Sequence, residues 1–290
     1  MLLRIVSILF PLFAITAIGF LVGRRAKPDL SHANKLNMDV FVPALVFGAL
    51  ANKSFHITEF LPLLAATLAV VIGSGLLGWL AARLLGIAPK TLVPPIMFNN
   101  CGNLGLPLAV LAFGEQALAP AVVMFMVSNL LHFSFGAWLL DHQIKLGGIW
   151  KVPSVLATMA GLAVGLSGFE VWEPAMIAIR MLGEISIPLM LFALGVRLTE
   201  SRIGEIRLGL IGAAARPLIG MLLAAAVMLV VPLPERERAL LLVFGALPPA
   251  VLNYIFAERY HQEPEKVASI VLIGNVAALA FLPLALAMGL

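Results

Sequence analysis

Polar residues in this chain are confined to short clusters between long apolar runs. In order, the apolar stretches fall at about 3–23, 36–52, 58–82, 91–113, 116–140, 153–169, 174–197, 208–231, 238–258 and 266–288. Most approach the roughly 20 residues that an α-helix needs to cross a bilayer's hydrocarbon core. The pattern predicts an all-α integral membrane protein of ten transmembrane helices. The linkers are short and polar, several carry Pro or Gly, and none is long enough for a soluble domain. Two of the ten stretches are interrupted. One break is Asn99-Asn100-Cys101-Gly102-Asn103-Leu104-Gly105-Leu106-Pro107, and the other is Gly245-Ala246-Leu247-Pro248-Pro249-Ala250-Val251-Leu252-Asn253. Gly and Pro weaken a helix, and Asn competes for its backbone hydrogen bonds. Backbone groups freed in lipid must find partners in protein or in a water-lined cavity. Paired interruptions in corresponding halves point to a transporter binding site.

Composition excludes the soluble classes. Of 290 residues, 61% are hydrophobic and 12% charged, with a mean hydropathy of +1.05, against about 25% charged in soluble domains. The net charge of +4 is explained by basic loops held on one side of a membrane rather than by nucleic acid. Alternate linkers hold Arg24, Arg25, Lys27, Lys35, Arg83, Lys90, Lys145, Lys151, Arg197, Arg202, Arg207, Arg259 and Lys266, which is 13 of the 19 Lys and Arg. The other side holds Arg4, Lys53, Arg236 and Arg238, with Arg180 and Arg216 in or near spans. This bias predicts a multi-pass protein of the plasma membrane (a bacterial inner membrane) with both termini extracytoplasmic. Residues 1–23 lack the short core and cleavage site of a signal peptide, and Gly23-Arg24-Arg25-Ala26-Lys27 follows them, so they read as a retained first helix. Cys101 is the single cysteine, which excludes an intrachain disulfide and a multi-cysteine metal site.

The chain also repeats. A shift of 145 residues lays Asp39-Val40-Phe41-Val42-Pro43-Ala44-Leu45-Val46-Phe47 on Glu184-Ile185-Ser186-Ile187-Pro188-Leu189-Met190-Leu191-Phe192. It places Asn103 on Pro248 and brings Asn129 within one residue of Asn275. Five spans per half is odd, so the second half enters from the opposite side, as in the inverted repeats of secondary transporters. The halves are residues 1–140 and 153–290, joined by a cytoplasmic linker at 141–152.

The breaks expose half-helix ends, whose positive N-termini favour anions and whose carbonyls favour cations. Asn100 and Asn103 would share a face if locally helical, and their amides suit a carboxylate or a cation. Gly102 and Gly105 would admit another backbone, and Pro107 would direct the second half-helix. Pro248 and Pro249 make the other break, with Asn253 just beyond. Asn99, Asn129 and Asn275 are further candidates; interhelical packing is the alternative reading for all these amides.

Asn100 to Pro107, with the pattern Asn-x-x-Asn-x-Gly-x-Pro-Leu, resembles the fourth-helix motif of the auxin efflux carrier family, which includes plant PIN-type carriers and bacterial dicarboxylate permease-like proteins. Phe41 to Phe47 resembles its second-helix motif, and Pro248 to Ala257 its ninth. The short middle linker is similar to that of bacterial members. The resemblance implies a fold like that of bile-acid sodium symporters and sodium/proton antiporters, in which broken helices 4 and 9 cross. It implies a scaffold of helices 1, 2, 6 and 7, a transport unit of helices 3–5 and 8–10, elevator-type movement and a homodimer. It places Asn100, Pro107, Pro248 and Pro249 at the crossing, with Asn103 and Asn253 close by. No fixed residue type is expected at Cys101.

The remaining polar residues each have two readings. Arg216 has no acid within helical reach, so it either counters a substrate carboxylate or snorkels from near the end of helix 8. Arg180 and Glu184 have the spacing of an intrahelical pair. Asp39 and Glu184 are candidates for ion coupling, although Asp39 also suits a helix N-terminus. His132 either relays protons or packs as a hydrogen-bonded histidine. His32, His56, His142 and His261 are dispersed, which disfavours a metal site. No His-Glu-x-x-His pair or Gly-x-Ser-x-Gly elbow is present, so an enzyme is not expected. Paired breaks also distinguish the chain from a passive channel with a filter or charged ring. The expected activity is secondary transport of a small organic anion (malate, malonate or an auxin-like acid) without a cofactor, and with sodium, proton or no coupling.

Overall fold

The computed structural model describes residues 1–51, 57–143, 146–200 and 204–290. Lys53, His56, Lys145 and Arg202 lie outside them. Helices fill the predicted apolar runs. The first is α1 (Leu2–Ala26). The second run comprises α2 (Ser31–Leu36), a π-helical turn (Asn37–Phe41) and α3 (Val42–Leu50). Next come α4 (Ile57–Leu85) and α5 (Pro89–Met97), then a π-helical turn (Cys101–Gly105) leading into α6 (Leu106–Phe113). The fifth run is α7 (Leu118–Leu131), a π-helical turn (His132–Gly136) and α8 (Ala137–Leu140). The second half has α9 (Pro153–Ser167), α10 (Glu173–Glu200), α11 (Ile206–Met228), α12 (Glu235–Ala246), α13 (Leu252–Arg259) and α14 (Pro264–Gly289). Proline starts α5, α9 and α14, where its missing N–H costs nothing.

Among the described residues, six helical segments are long and apolar enough to cross a membrane: Leu2–Ala26, Thr58–Leu85, Glu115–Leu140, Glu173–Thr199, Ile206–Met228 and Pro264–Gly289. Cys101–Phe113 and Pro153–Ser167 are shorter apolar helices. Outward-facing apolar side chains such as Phe10 and Leu222 remain exposed, as lipid-facing positions do.

The helices pack in two sets. α1 lies along α10, and α3 packs on α9 and α10. In the other set, α11 contacts α4, α12 and α14, while α4 contacts α5 and α7. Helices in lipid gain no hydrophobic drive to associate, so small residues that allow close contact matter more. A Cβ added to Gly195 would lie 2.0 Å from the Thr16 carbonyl oxygen, and one on Gly19 would lie 2.1 Å from that of Phe192. The α1–α10 seam is thus backbone against backbone. The expected Arg180–Glu184 ion pair is absent: both side chains are exposed, and no ion pair joins them among the described residues.

One end is tied by polar contacts. Lys90 Nζ donates to the Leu140 carbonyl at 2.9 Å. Thr91 and Lys266 both donate to the Glu263 carboxylate. Those bonds, Lys266 first, hold the Glu263 carboxyl below the usual carboxylate range. A lowered pKa contributes stability that is present above the unfolded-state value and lost as pH falls through the folded one. Glu263→Gln is therefore expected to melt slightly below wild type at pH 7, by under about 1 kcal/mol for so exposed a group, and to converge on wild type in acid; thermal unfolding across pH reads this. Gly195→Leu should separate α1 from α10 and cost about 1–3 kcal/mol or more. Gly147→Ala, where an added Cβ meets nothing within 4 Å, should leave the melting temperature unchanged.

Candidate functional site

The two interrupted runs cross as a short antiparallel pairing, with Asn99 opposite Pro249. Asn100 N–H donates to the Pro248 carbonyl at 2.8 Å, and Ala250 N–H donates to that of Phe98 at 3.0 Å. The proline pair explains the break in α12. In an unbroken helix the N–H groups of residues 248 and 249 would serve the carbonyls of Phe244 and Gly245, and proline has none. Asn99 Nδ2 donates to Phe244 at 2.6 Å instead, and Arg216 Nη1 reaches Gly245 at 3.4 Å. Asn253 Nδ2 donates to the carbonyls of Phe98 and Ala250, both at 3.0 Å. Asn275 Nδ2 serves Pro249 at 3.1 Å and Val271 at 2.8 Å, while its Oδ1 accepts from Asn100 at 3.2 Å.

A cavity of about 200 Å³ lies against this crossing. Its polar lining is Asn34, Asn37, Asn99, Asn100, Asn103, Ser128, Asn129, His132 and Arg197; Met190 and Leu194 of α10 and Val251 and Leu252 beside the break add apolar wall. Among the described residues no carboxylate lines it. Asn34 and Arg197 adjoin the linkers that carry the basic residues, so the cavity reaches towards that end. Three of its polar atoms, Asn37 Oδ1, Asn99 Oδ1 and His132 Nε2, are buried without a hydrogen-bond partner. A buried polar atom of this kind calls for a ligand or water. A second cavity, of about 710 Å³, holds Glu115, Arg180, Glu184 and Arg236 and does not reach the crossing.

The predicted residues separate into distinct roles. Asn99, Asn100, Asn103, Asn129 and His132 line the cavity. Asn100 precedes the π-helical turn rather than sharing a helical face with Asn103. Pro248, Pro249, Asn253 and Asn275 build the crossing, and Pro107 is buried in the first turn of α6; none of these five lines the cavity. Gly102 and Gly105 face side chains, not backbone, since added Cβ atoms would meet Phe125 at 3.1 Å and Leu247 at 2.9 Å. Arg216 does not snorkel: it is only 1% exposed. It sits ten residues into α11, about 15 Å from its start. His132 packs as an aromatic, stacked on Phe98 at 4.1 Å between ring centroids, with Phe256 edge-on at 5.1 Å, and its Nε2 has no hydrogen-bond partner. Asp39 is exposed in the first π-helical turn, and Glu184 is exposed in the other cavity. Asn37, 5% exposed, was not among the predicted residues. The spacing Asn34-x-x-Asn37 repeats that of Asn100-x-x-Asn103 and is the signal that marks it.

Asn129 and Asn275, matched by the internal repeat, thus differ. Asn275→Leu leaves the Pro249 carbonyl buried and unpaired and should cost about 1–3 kcal/mol. Asn129→Leu, at a half-buried cavity position, should leave the melting temperature near wild type; thermal unfolding of the two variants checks the contrast.

A family model described as "Membrane transport protein" matches residues 4–145 and 138–286. A Rhizobium meliloti protein described as "Putative malonate transporter" is 24% identical, over 96% of this chain and 93% of its own length. An uncharacterized transporter of Methanocaldococcus jannaschii is 23% identical, over 87% of this chain and 88% of its own. Together with the all-helical fold and its apolar spans, these matches make the chain a multi-pass membrane protein and a transporter, not an enzyme. It belongs to the membrane transport protein family that its motifs resemble, the auxin efflux carriers.

Proposed function

We propose that the protein is a secondary carrier for a small organic anion, with malonate the first substrate to try. The observation that carries this reading is the cavity at the crossing, lined by six asparagines and Arg197 and by no carboxylate. Amide and guanidinium N–H groups are carboxylate donors. Its volume of about 200 Å³, at about 30 Å³ per liquid water, suits a compact carboxylate. The relative described as a malonate transporter supports the choice of malonate.

In this reading the ten apolar runs form two inverted five-helix repeats. α1, α2–α3, α9 and α10 are the scaffold, and the remaining helices are the transport unit. The packing of the helices in two sets supports that division. The cavity lies between the sets, with Asn37 and Met190 on one wall and Asn103 and Asn129 on the other. Sliding one set past the other would carry the crossing, with its ligand, from one side to the other, which is elevator-type alternating access. The larger cavity at Glu184 supports a second aqueous approach. With the basic linkers cytoplasmic, the cavity at the crossing faces inward, and the protein sits in a bacterial inner membrane as a homodimer with both termini outside.

Proteoliposomes test the reading. Saturable uptake of labelled malonate, with counterflow driven by unlabelled malonate inside, is the expected result. Flux that never saturates would mark a channel instead. Imposed sodium and proton gradients in the same vesicles read coupling.

A further inference from the structure

Arg216 is the largest fully buried side chain of the described residues, and no carboxylate pairs with it among them. Its Nη1 serves the Gly245 carbonyl at 3.4 Å, a long bond, and its Nε has no partner. Space for it is built in. A Cβ on Gly220 would lie 2.3 Å from Nη1, and one on Gly245 would lie 2.5 Å from the Gly220 carbonyl oxygen. α11 and α12 therefore touch through backbone where the guanidinium meets the end of α12.

Capping does not account for the charge. The neighbouring carbonyl, Phe244, is served by neutral donors, the Asn99 amide and the Leu247 N–H. The negative end of a helix favours a cation only modestly, whereas burying an unpaired charge is costly. The charge therefore needs an opposite charge that the described residues do not supply. Asn99, which lines the cavity, and Arg216 serve the adjacent carbonyls of Phe244 and Gly245, so only the crossing separates the guanidinium from the cavity. Arg216 itself does not line it, and no acid in the cavity wall cancels its field. We propose that Arg216 is a specificity-determining residue whose charge selects anionic over neutral ligands in the cavity, acting across the crossing without touching the ligand.

The inference rests on the carrier reading and predicts a pattern that a structural role would not give. Malonate and its neutral analogue malonamide are titrated against the purified full chain and against Arg216→Lys, Arg216→Gln and Arg216→Met. Wild type should prefer malonate, and Arg216→Lys should keep the preference. In the two charge-free variants malonate affinity should fall by about tenfold or more while malonamide binding holds. Methionine is included because a buried charge often gives way to a hydrophobe without loss of stability.

Folded charge-free variants that keep the preference would overturn the role of Arg216 alone. So would equal loss of both ligands, or failure of Arg216→Met to fold, since the charge would then serve the fold. A wild type that binds no carboxylate would overturn the carrier reading and this inference with it.

Discussion

The backbone pairing of Phe98 to Asn100 with Pro248 to Ala250 is the constraint on which the rest of the structure depends. Each segment interrupts a helix within an apolar run, where no lipid group can replace a lost hydrogen bond. Neither break is tolerable alone. Side by side, each supplies donors for the other's carbonyls, and three asparagines and an arginine complete the set. The prolines ensure that the helix cannot reclose, because the N–H groups that would close it do not exist.

That pairing divides the asparagines into two kinds. Asn253 and Asn275 are spent on carbonyls of the crossing and are buried. Asn103 and Asn129 are half-buried and face the cavity. Asn99 and Asn100 belong to both, since their amide N–H groups hold the crossing while their residues line the cavity. A substrate bound here therefore touches the same residues that hold the two breaks together. In the proposed carrier, a motion that moves the crossing would move the binding surface with it, while the wall contributed by α10 and the first π-helical turn would stay with the other set of helices. In the proposed alternating access, recognition and movement would share one construction.

Much of this was legible in the sequence because lipid simplifies the code. Long apolar runs can only be helices, and Gly, Pro and Asn within them can only be deliberate. The repeat matched the two breaks before their contact was visible. What escaped was depth and direction. Arg216 next to Pro217 reads as a helix end, yet α11 begins at Ile206 and carries the guanidinium well inside. Arg180 and Glu184 have the spacing of a pair, but both lie exposed and unjoined. Asn37 is buried at the start of the π-helical turn Asn37–Phe41, and a regular helical wheel does not anticipate a π turn. Gly102 and Gly105 invite a backbone neighbour, but the nearest partners are the side chains of Phe125 and Leu247. Close backbone contact falls instead at Gly220 and Gly245, as it does at Gly19 and Gly195.

The central claim is that the substrate occupies the cavity against the crossing. Ligand protection of a single thiol tests it most directly. In a Cys101→Ser background, Leu252→Cys places a half-buried thiol on the cavity wall beside the break. A membrane-impermeant thiol reagent applied to the face bearing the basic linkers should label it, and malonate should suppress that labelling saturably and at lower concentration than malonamide. Labelling that is indifferent to malonate and to every other small carboxylate would contradict the account.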